Sequence, residues 1–411
     1  MIVDDWSESE IAHLRAATPG CSRVIHFNHA GASLPSQATL EAMTAQLRLE
    51  AGIGPMEAGP EGARLEEEAR QAAAELLNTS VQSIAFAGSG SAAWGQAFAA
   101  LGPWRAGDRI LVGRHEWAGN LACMAEAVKA GARLEVIPCD ETGAVSVSSL
   151  EQMIDARVRL IALTWLPANG GLINPAEAIG QVARRHGIAY FIDAGQALGQ
   201  LPCDVQALAC DVLKGAARKF LRGPRGTALL YVREGFLEQL TPRYLDVSSA
   251  PWDDHGFTLR NDARRFETSE RSLVLMAGLA NALKEANQLG IARIRGRIQR
   301  LATGLREALR KIPGLELHDL GLPGQQSGLI AFTLEGWDAL ALKQRLAESA
   351  INIGANGTAY TPLDMQAREL PAIARVAVSY LNTEQEIGLL LEALGQLAEE
   401  RRQTSTSTSR P

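Results

Sequence analysis

From about residue 80 to residue 232 the chain alternates short apolar runs with helix-forming stretches, and this rhythm constrains the fold more than any other feature. The runs are SIAFA (83–87), RILVG (109–113), RLEVIP (133–138), RLIALTW (159–165), AYFID (189–193) and TALLYV (227–232). RLIALTW is continuous and apolar, as a strand buried on both faces would be. Between the runs lie helical stretches such as Leu121–Ala130 and Pro175–His186, the second with its proline placed for a first turn. Strands that alternate with helices in this way predict a mostly parallel sheet with helices on both faces.

The pattern changes after about residue 260. Helical stretches at Ser269–Leu289, 296–311, 337–349 and 383–402 are interleaved with the strand-like SGLIAFTL (327–334) and ARVAVSY (374–380). This order predicts a smaller α+β unit. The expected division is an N-terminal segment at 1–30, a large α/β domain at 31–260, a small domain at 261–402 and a tail at 403–411. That tail, TSTSTSRP in its last eight residues, is of low complexity and expected to be disordered.

Composition narrows the function. Forty basic and 46 acidic residues leave a formal net charge of −6, which gives no bulk attraction to nucleic acid or an anionic membrane. Five cysteines without a CxxC pair point to neither a disulfide framework nor a structural zinc site. The opening MIVDDWSESE is acidic, unlike a signal peptide, and no apolar run approaches the ~20 residues of a membrane helix. A soluble cytoplasmic protein is expected.

Asp193 ends the run AYFID, and strand carboxyl ends are where open α/β sheets bind ligands. The same residue also suits a helix N-cap. Lys214 and Lys219 follow the short run CDVL in KGAARKFLRGPRG. A lysine in such a turn reads as a Schiff-base nucleophile or as a solvated surface charge. An aspartate at one strand end and a lysine after the next are what pyridoxal phosphate needs: an amine for the aldimine, and a carboxylate that keeps the ring nitrogen protonated. GSGS (88–91) follows a strand and opens a helix, so its amides suit a phosphate. Gly88, Gly90 and Ala93 also form a variant dinucleotide fingerprint with Asp108 beyond it. Asp108, however, precedes a strand, whereas a ribose carboxylate ends one.

HFNHAGASLPS (26–36), the stretch from FIDAGQ to LLYV (191–232), RRFET (264–268) and RVAVSYLNT (375–383) together carry a family likeness. The chain resembles the class V aminotransferases of the fold-type I pyridoxal phosphate enzymes. That group includes cysteine desulfurases, isopenicillin N epimerase-like proteins and hercynylcysteine sulfoxide lyases. The resemblance implies an α/β fold, a homodimer, no metal and an amino-acid substrate. It makes Lys219 the cofactor lysine and proton carrier, with Lys214 at a position where the family has a small or hydroxyl residue. Asp193 would meet the pyridine nitrogen, Gln196 the phenolic oxygen and Trp117 the ring face. Gly90 and Ser91 would hold the phosphate, with Arg218 or Arg222 as further donors. Arg375 would clamp the substrate carboxylate, with Asn169 of WLPANGG retained nearby.

Three departures stand out. Ala216 replaces the hydroxyl three residues before the lysine, Thr268-Ser269-Glu270 replaces a Gly-Thr after RFE, and Ala168 replaces a polar residue. The loop NIGANGTAYTPLDM (352–365) lacks the cysteine through which cysteine desulfurases work, and all five cysteines lie at or before position 210. RKFLRGPRG is closest to the ergothioneine-lyase branch. The expected function is therefore C–S lysis by β-elimination, with transamination or epimerisation as alternatives. A degenerate, non-catalytic binding protein is the reading from another class.

Overall fold

The alternating runs resolve into one seven-stranded sheet. A computed structural model describes residues 6–407, with side chains to residue 400. The strands are β1 (Ile84–Ala87), β2 (Arg109–Gly113), β3 (Arg133–Ile137), β4 (Val158–Thr164), β5 (Ala189–Asp193), β6 (Val212–Ala216) and β7 (Ala228–Val232). Their order across the sheet is β1-β7-β6-β5-β4-β2-β3. The strands from β2 to β6 are parallel, β7 is antiparallel to β6, and β1 is antiparallel to β7. Fold type I is therefore the architecture, with a mainly parallel central sheet.

Both faces of the sheet are apolar, as period-two packing between two helix layers requires. In β5, Phe191 points into a cluster with Trp94, Phe98 and Met124. Its neighbours Tyr190 and Ile192 point the other way, toward Leu77, Ile179 and Leu283. The first layer includes α3 (Gly90–Ala100) and α4 (Ala118–Lys129), and the second includes α2 (Gly59–Leu77), α5 (Ala176–His186) and α6 (Leu273–Leu289). α1 (Gln37–Ile53) lies against α6.

The C-terminal part builds a four-stranded antiparallel sheet from β8 (Leu315–Leu317), β9 (Leu329–Leu334), β10 (Gly354–Gly357) and β11 (Ala372–Ala377), in the order β8-β9-β11-β10. α7 (Ile291–Leu309), α8 (Ala339–Ala347) and α9 (Glu384–Ser407) bury Leu305, Leu342 and Leu394 with Phe332 and Val376 of that sheet. Phe27 joins the same cluster, and Ile25 and His26 pair in parallel with Ile351 and Asn352. The N-terminal segment is thus tied to the C-terminal unit.

Boundaries shift where side chains compete with the helix. α6 starts at Leu273, after a Ser272 cap, because Ser269 is held by Asp246 at 2.7 Å. α9 runs to Ser407, into the segment expected to be an unstructured tail, because extending a formed helix costs far less than starting one. Residues 408–411 of that tail lie outside the described residues. β6 reaches past CDVL to Ala216, which makes Lys214 a strand residue. Among the described residues no helix is long and apolar enough to cross a membrane.

One glycine sets the geometry beside the carboxyl edge. Gly199 has φ +89°, and a Cβ there would overlap the backbone of Phe220 and Leu221. The turn after β5 therefore lies directly on the segment that carries Lys219.

Candidate active site

The carboxyl ends of β4 and β5, the chain leaving β6 and the first turn of α3 border a cavity of about 590 Å³, closed on its other side by residues of β10 and β11. Gly90, Ser91, Trp117, Asp193, Gln196, Arg218, Lys219 and Arg375 all line it. Eight of the ten positions that the resemblance implied therefore converge on one space, and Asn169 and Arg222 do not.

Asp193 is buried at its floor. Its Oδ1 accepts from the Gly195 amide at 2.8 Å, and its Oδ2 accepts from Asn120 Nδ2 at 3.0 Å and Lys214 Nζ at 2.7 Å. Burial works to raise this carboxyl, but the charges of Lys214 and Lys219 and these hydrogen bonds outweigh it, so it sits below the usual aspartate value. Lys219 faces the same carboxylate without a hydrogen bond to it. Burial holds its amine down at about 7, against the pull of Asp193 and with the help of Lys214, Arg218 and Arg375.

Arg375 projects from β11, where its backbone pairs with Ala331 and Gly354. Its Nη1 donates to the Ala168 carbonyl at 2.7 Å, while its buried Nε has no partner. A Cβ on Gly354 would lie 3.2–3.3 Å from Nη2 and Nε, so glycine there leaves the guanidinium fork uncovered. Burial lowers this arginine to about 10, which leaves it charged at neutral pH. The departure at Ala168 costs little here, since the carbonyl, not the side chain, holds the arginine.

Trp117 anchors through its backbone, whose N–H donates to Thr164 Oγ1 at 2.9 Å, and its ring lies 5.5 Å from that of Tyr360. Gln196 Nε2 donates to the Ala30 carbonyl at 3.1 Å, leaving Oε1 buried and unpartnered. Asn169 does not line the cavity. Its amide meets Thr361 Oγ1 at 3.0 Å and the Asn356 side chain at 2.7 Å, behind the wall. Arg222 is also turned away, donating to the Leu34 carbonyl at 2.9 Å and to Thr18 Oγ1 at 2.7 Å. Asp108 pairs with Arg159 at 2.9 Å, before β2 begins. In RRFET, Glu267 is buried against Arg70 at 2.9 Å and accepts from the Phe86 amide at 2.8 Å, a brace between α2 and β1.

Sequence reasoning missed a polar group behind Asp193. Glu116 is fully buried and accepts from the Thr164 amide at 2.8 Å and from Asn120 Nδ2 at 2.7 Å. Burial, with the nearby Asp193 charge, pushes its carboxyl up to about 7 against the hydrogen bonds that favour its ionised form. Asn120 thus bridges two carboxylates. The signal was the i, i+4 spacing of Glu116 and Asn120 next to Trp117.

The comparisons with known proteins fit this arrangement. A cysteine desulfurase from Klebsiella pneumoniae subsp. pneumoniae is 30% identical over 304 residues, 71% of each chain. A probable cysteine desulfurase from Methanothermobacter thermautotrophicus is 27% identical over 341 residues, covering 81% of this chain and 83% of its own. Among solved structures, the cysteine desulfurase CsdA from Escherichia coli superposes with a TM-score of 0.87 at 23% identity, covering 96% of this chain and 99% of its own. The cystine C–S lyase C-DES, in complex with its product cysteine persulfide, gives 0.83 at 26% identity, covering 92% and 99%. The Aminotransferase class-V model matches residues 25–390, from the β-paired N-terminal segment well into α9. Little more than the two ends falls outside that match, and the chain belongs to the class-V aminotransferase family of pyridoxal phosphate-dependent enzymes.

Proposed function

We propose that the protein is a pyridoxal phosphate-dependent C–S lyase that eliminates a sulfur group from the β-carbon of an amino acid, with a hercynylcysteine sulfoxide-like substrate. The lining fits the cofactor on observations of this chain. Among the described residues Gln196 Oε1 is buried without a partner, the first turn of α3 opens on the cavity, and Lys219 lines it. When bound, the cofactor supplies an electron sink that stabilises negative charge at the substrate α-carbon.

The chain's own residues do the rest. Asp193 would hold the ring nitrogen by its negative charge, Trp117 would offer the ring a flat apolar face, and the α3 amides with Ser91 would hold the phosphate. Arg375 presents a planar fork to a substrate carboxylate and so fixes which bond faces the ring. Lys219, with an amine near 7, can accept a proton from the α-carbon and return it at neutral pH. The same reading takes residues 31–260 and 261–402 as two domains, and the protein as a cytoplasmic homodimer.

One observation carries lysis without a protein sulfur carrier: among the described residues no cysteine lines the cavity. The relatives named cysteine desulfurases set the chemical class, and the lyase C-DES supports release of sulfur with the product. Incubation with cysteine S-conjugates and their sulfoxides is expected to yield pyruvate or the matching keto acid, with ammonia. Exchange of an amine with a keto acid, without either product, replaces elimination by transamination.

A further inference from the structure

We infer that Lys214 is the residue that takes the place of the missing phosphate hydroxyl, moving from Asp193 to the phosphate when the cofactor binds. The inference rests on the pyridoxal phosphate reading above. It starts from Ala216, whose methyl offers no donor. β6 is a strand, so residues two apart share a face, and Lys214 points the same way as Ala216. That face meets the first turn of α3. A Cβ built on Gly90 would lie 3.4 Å from both Cδ and Nζ of Lys214 and 3.7 Å from the Ala216 Cβ. The ammonium, the alanine and the helix N-terminus therefore share one corner of the cavity.

Charge explains the move. In the protein alone, Asp193 is matched by Lys214 at 2.7 Å, while the second buried carboxyl, Glu116, is held by Asn120 and Thr164. With the cofactor bound, Asp193 would face a cationic ring nitrogen and the first turn of α3 a dianionic phosphate. Leaving Lys214 on Asp193 would then set two cations on one carboxylate and leave the phosphate short of charge. Exchanging partners would give Asp193 the ring nitrogen and bring one positive charge to the phosphate, and Lys214 Cδ and Nζ already lie beside Gly90.

Arg225 and Lys343 also line the cavity, but no contact places either beside Gly90 and Ala216. Arg222 is bound to Leu34 and Thr18. Arg218 lines the cavity too, and its charge acts on Lys219 and Arg375.

Pyridoxal, which lacks the phosphate, separates this role from one on the ring. Absorbance titrations of wild-type protein and Lys214→Gln with pyridoxal phosphate and with pyridoxal read both affinities. Gln keeps a donor for Asp193 but loses the charge. The expected result is a loss of roughly ten- to a hundredfold for pyridoxal phosphate, the size of a charge-assisted hydrogen bond, and less than about threefold for pyridoxal. Lys214→Thr combined with Ala216→Ser is expected to recover most of the phosphate preference. Equal losses for both ligands, or none for either, overturn the inference. If Lys214→Gln does not fold, Asp193→Asn tests the same exchange. Freed from its partner, Lys214 should bind inorganic phosphate at least about threefold more tightly, and unchanged or weaker binding counts against it. If wild-type protein takes up neither pyridoxal phosphate nor pyridoxal, the cofactor reading itself fails.

Discussion

Lys219 shows how much of a residue's chemistry depends on its surroundings. Its position before Gly-Pro-x-Gly was legible in the sequence, but its proton affinity was not, because that follows from burial and from the charges of Lys214, Arg218 and Arg375, the last of them brought in from a distant segment. A lysine held near 7 is half neutral at neutral pH, whereas an ordinary lysine needs about pH 10.4 to reach that point. Only the neutral amine attacks a carbonyl carbon. The rate constant for uptake of added pyridoxal phosphate should therefore rise with pH up to about 7 and level off above it. Stopped-flow absorbance between pH 5.5 and 10 checks this. A rate still climbing about tenfold per pH unit beyond pH 9 would mean that Lys219 keeps an ordinary lysine pKa. Asp193 was legible in the same way, while its occupation by Lys214 was not. Lys214 looked like a residue of a basic turn until β6 proved to extend through it.

At the level of elements, the apolar runs placed the sheet well. AYFID and RILVG coincide with β5 and β2, and each of the other runs is shifted by only a residue or two. Parallel strands buried on both faces leave little freedom in such runs, which is why they read clearly. What stayed hidden was contact between segments far apart in sequence. Asn169 shares the WLPANGG loop with Ala168, yet the side chain of one is spent on Thr361 while the carbonyl of the other holds Arg375. Gly199 is a position where such a contact is tight. Alanine there must adopt φ +89° and also displace the Phe220–Leu221 backbone. We expect Gly199→Ala to destabilise the fold by about 2–4 kcal/mol, from backbone strain and overpacking together. A fall in the urea midpoint at unchanged slope checks it, and cofactor uptake should slow because the Lys219 segment moves. A midpoint within the error of wild type would mean that the turn after β5 shifts freely.

Across the whole molecule, the five thiols share one physical condition. Cys203 and Cys210 are buried, Cys21, Cys123 and Cys139 are half-buried, and burial raises all of them above the ordinary thiol value, Cys203 to about 12. A thiol in that state is protonated at neutral pH and is a poor nucleophile. None lines the cavity, and the loop that runs from β10 past Tyr360 presents asparagine and tyrosine there instead. On the proposed elimination, sulfur leaving the substrate would meet no protein thiolate and would depart with the small-molecule product. Iodoacetamide treatment should leave lyase turnover within about twofold of untreated protein, because the accessible thiols lie away from the chemistry. Intact-mass analysis after turnover should show no added sulfur. A mass increase of one sulfur that localises to any of the five cysteines, or loss of turnover on alkylation, would instead make the protein itself the first sulfur acceptor.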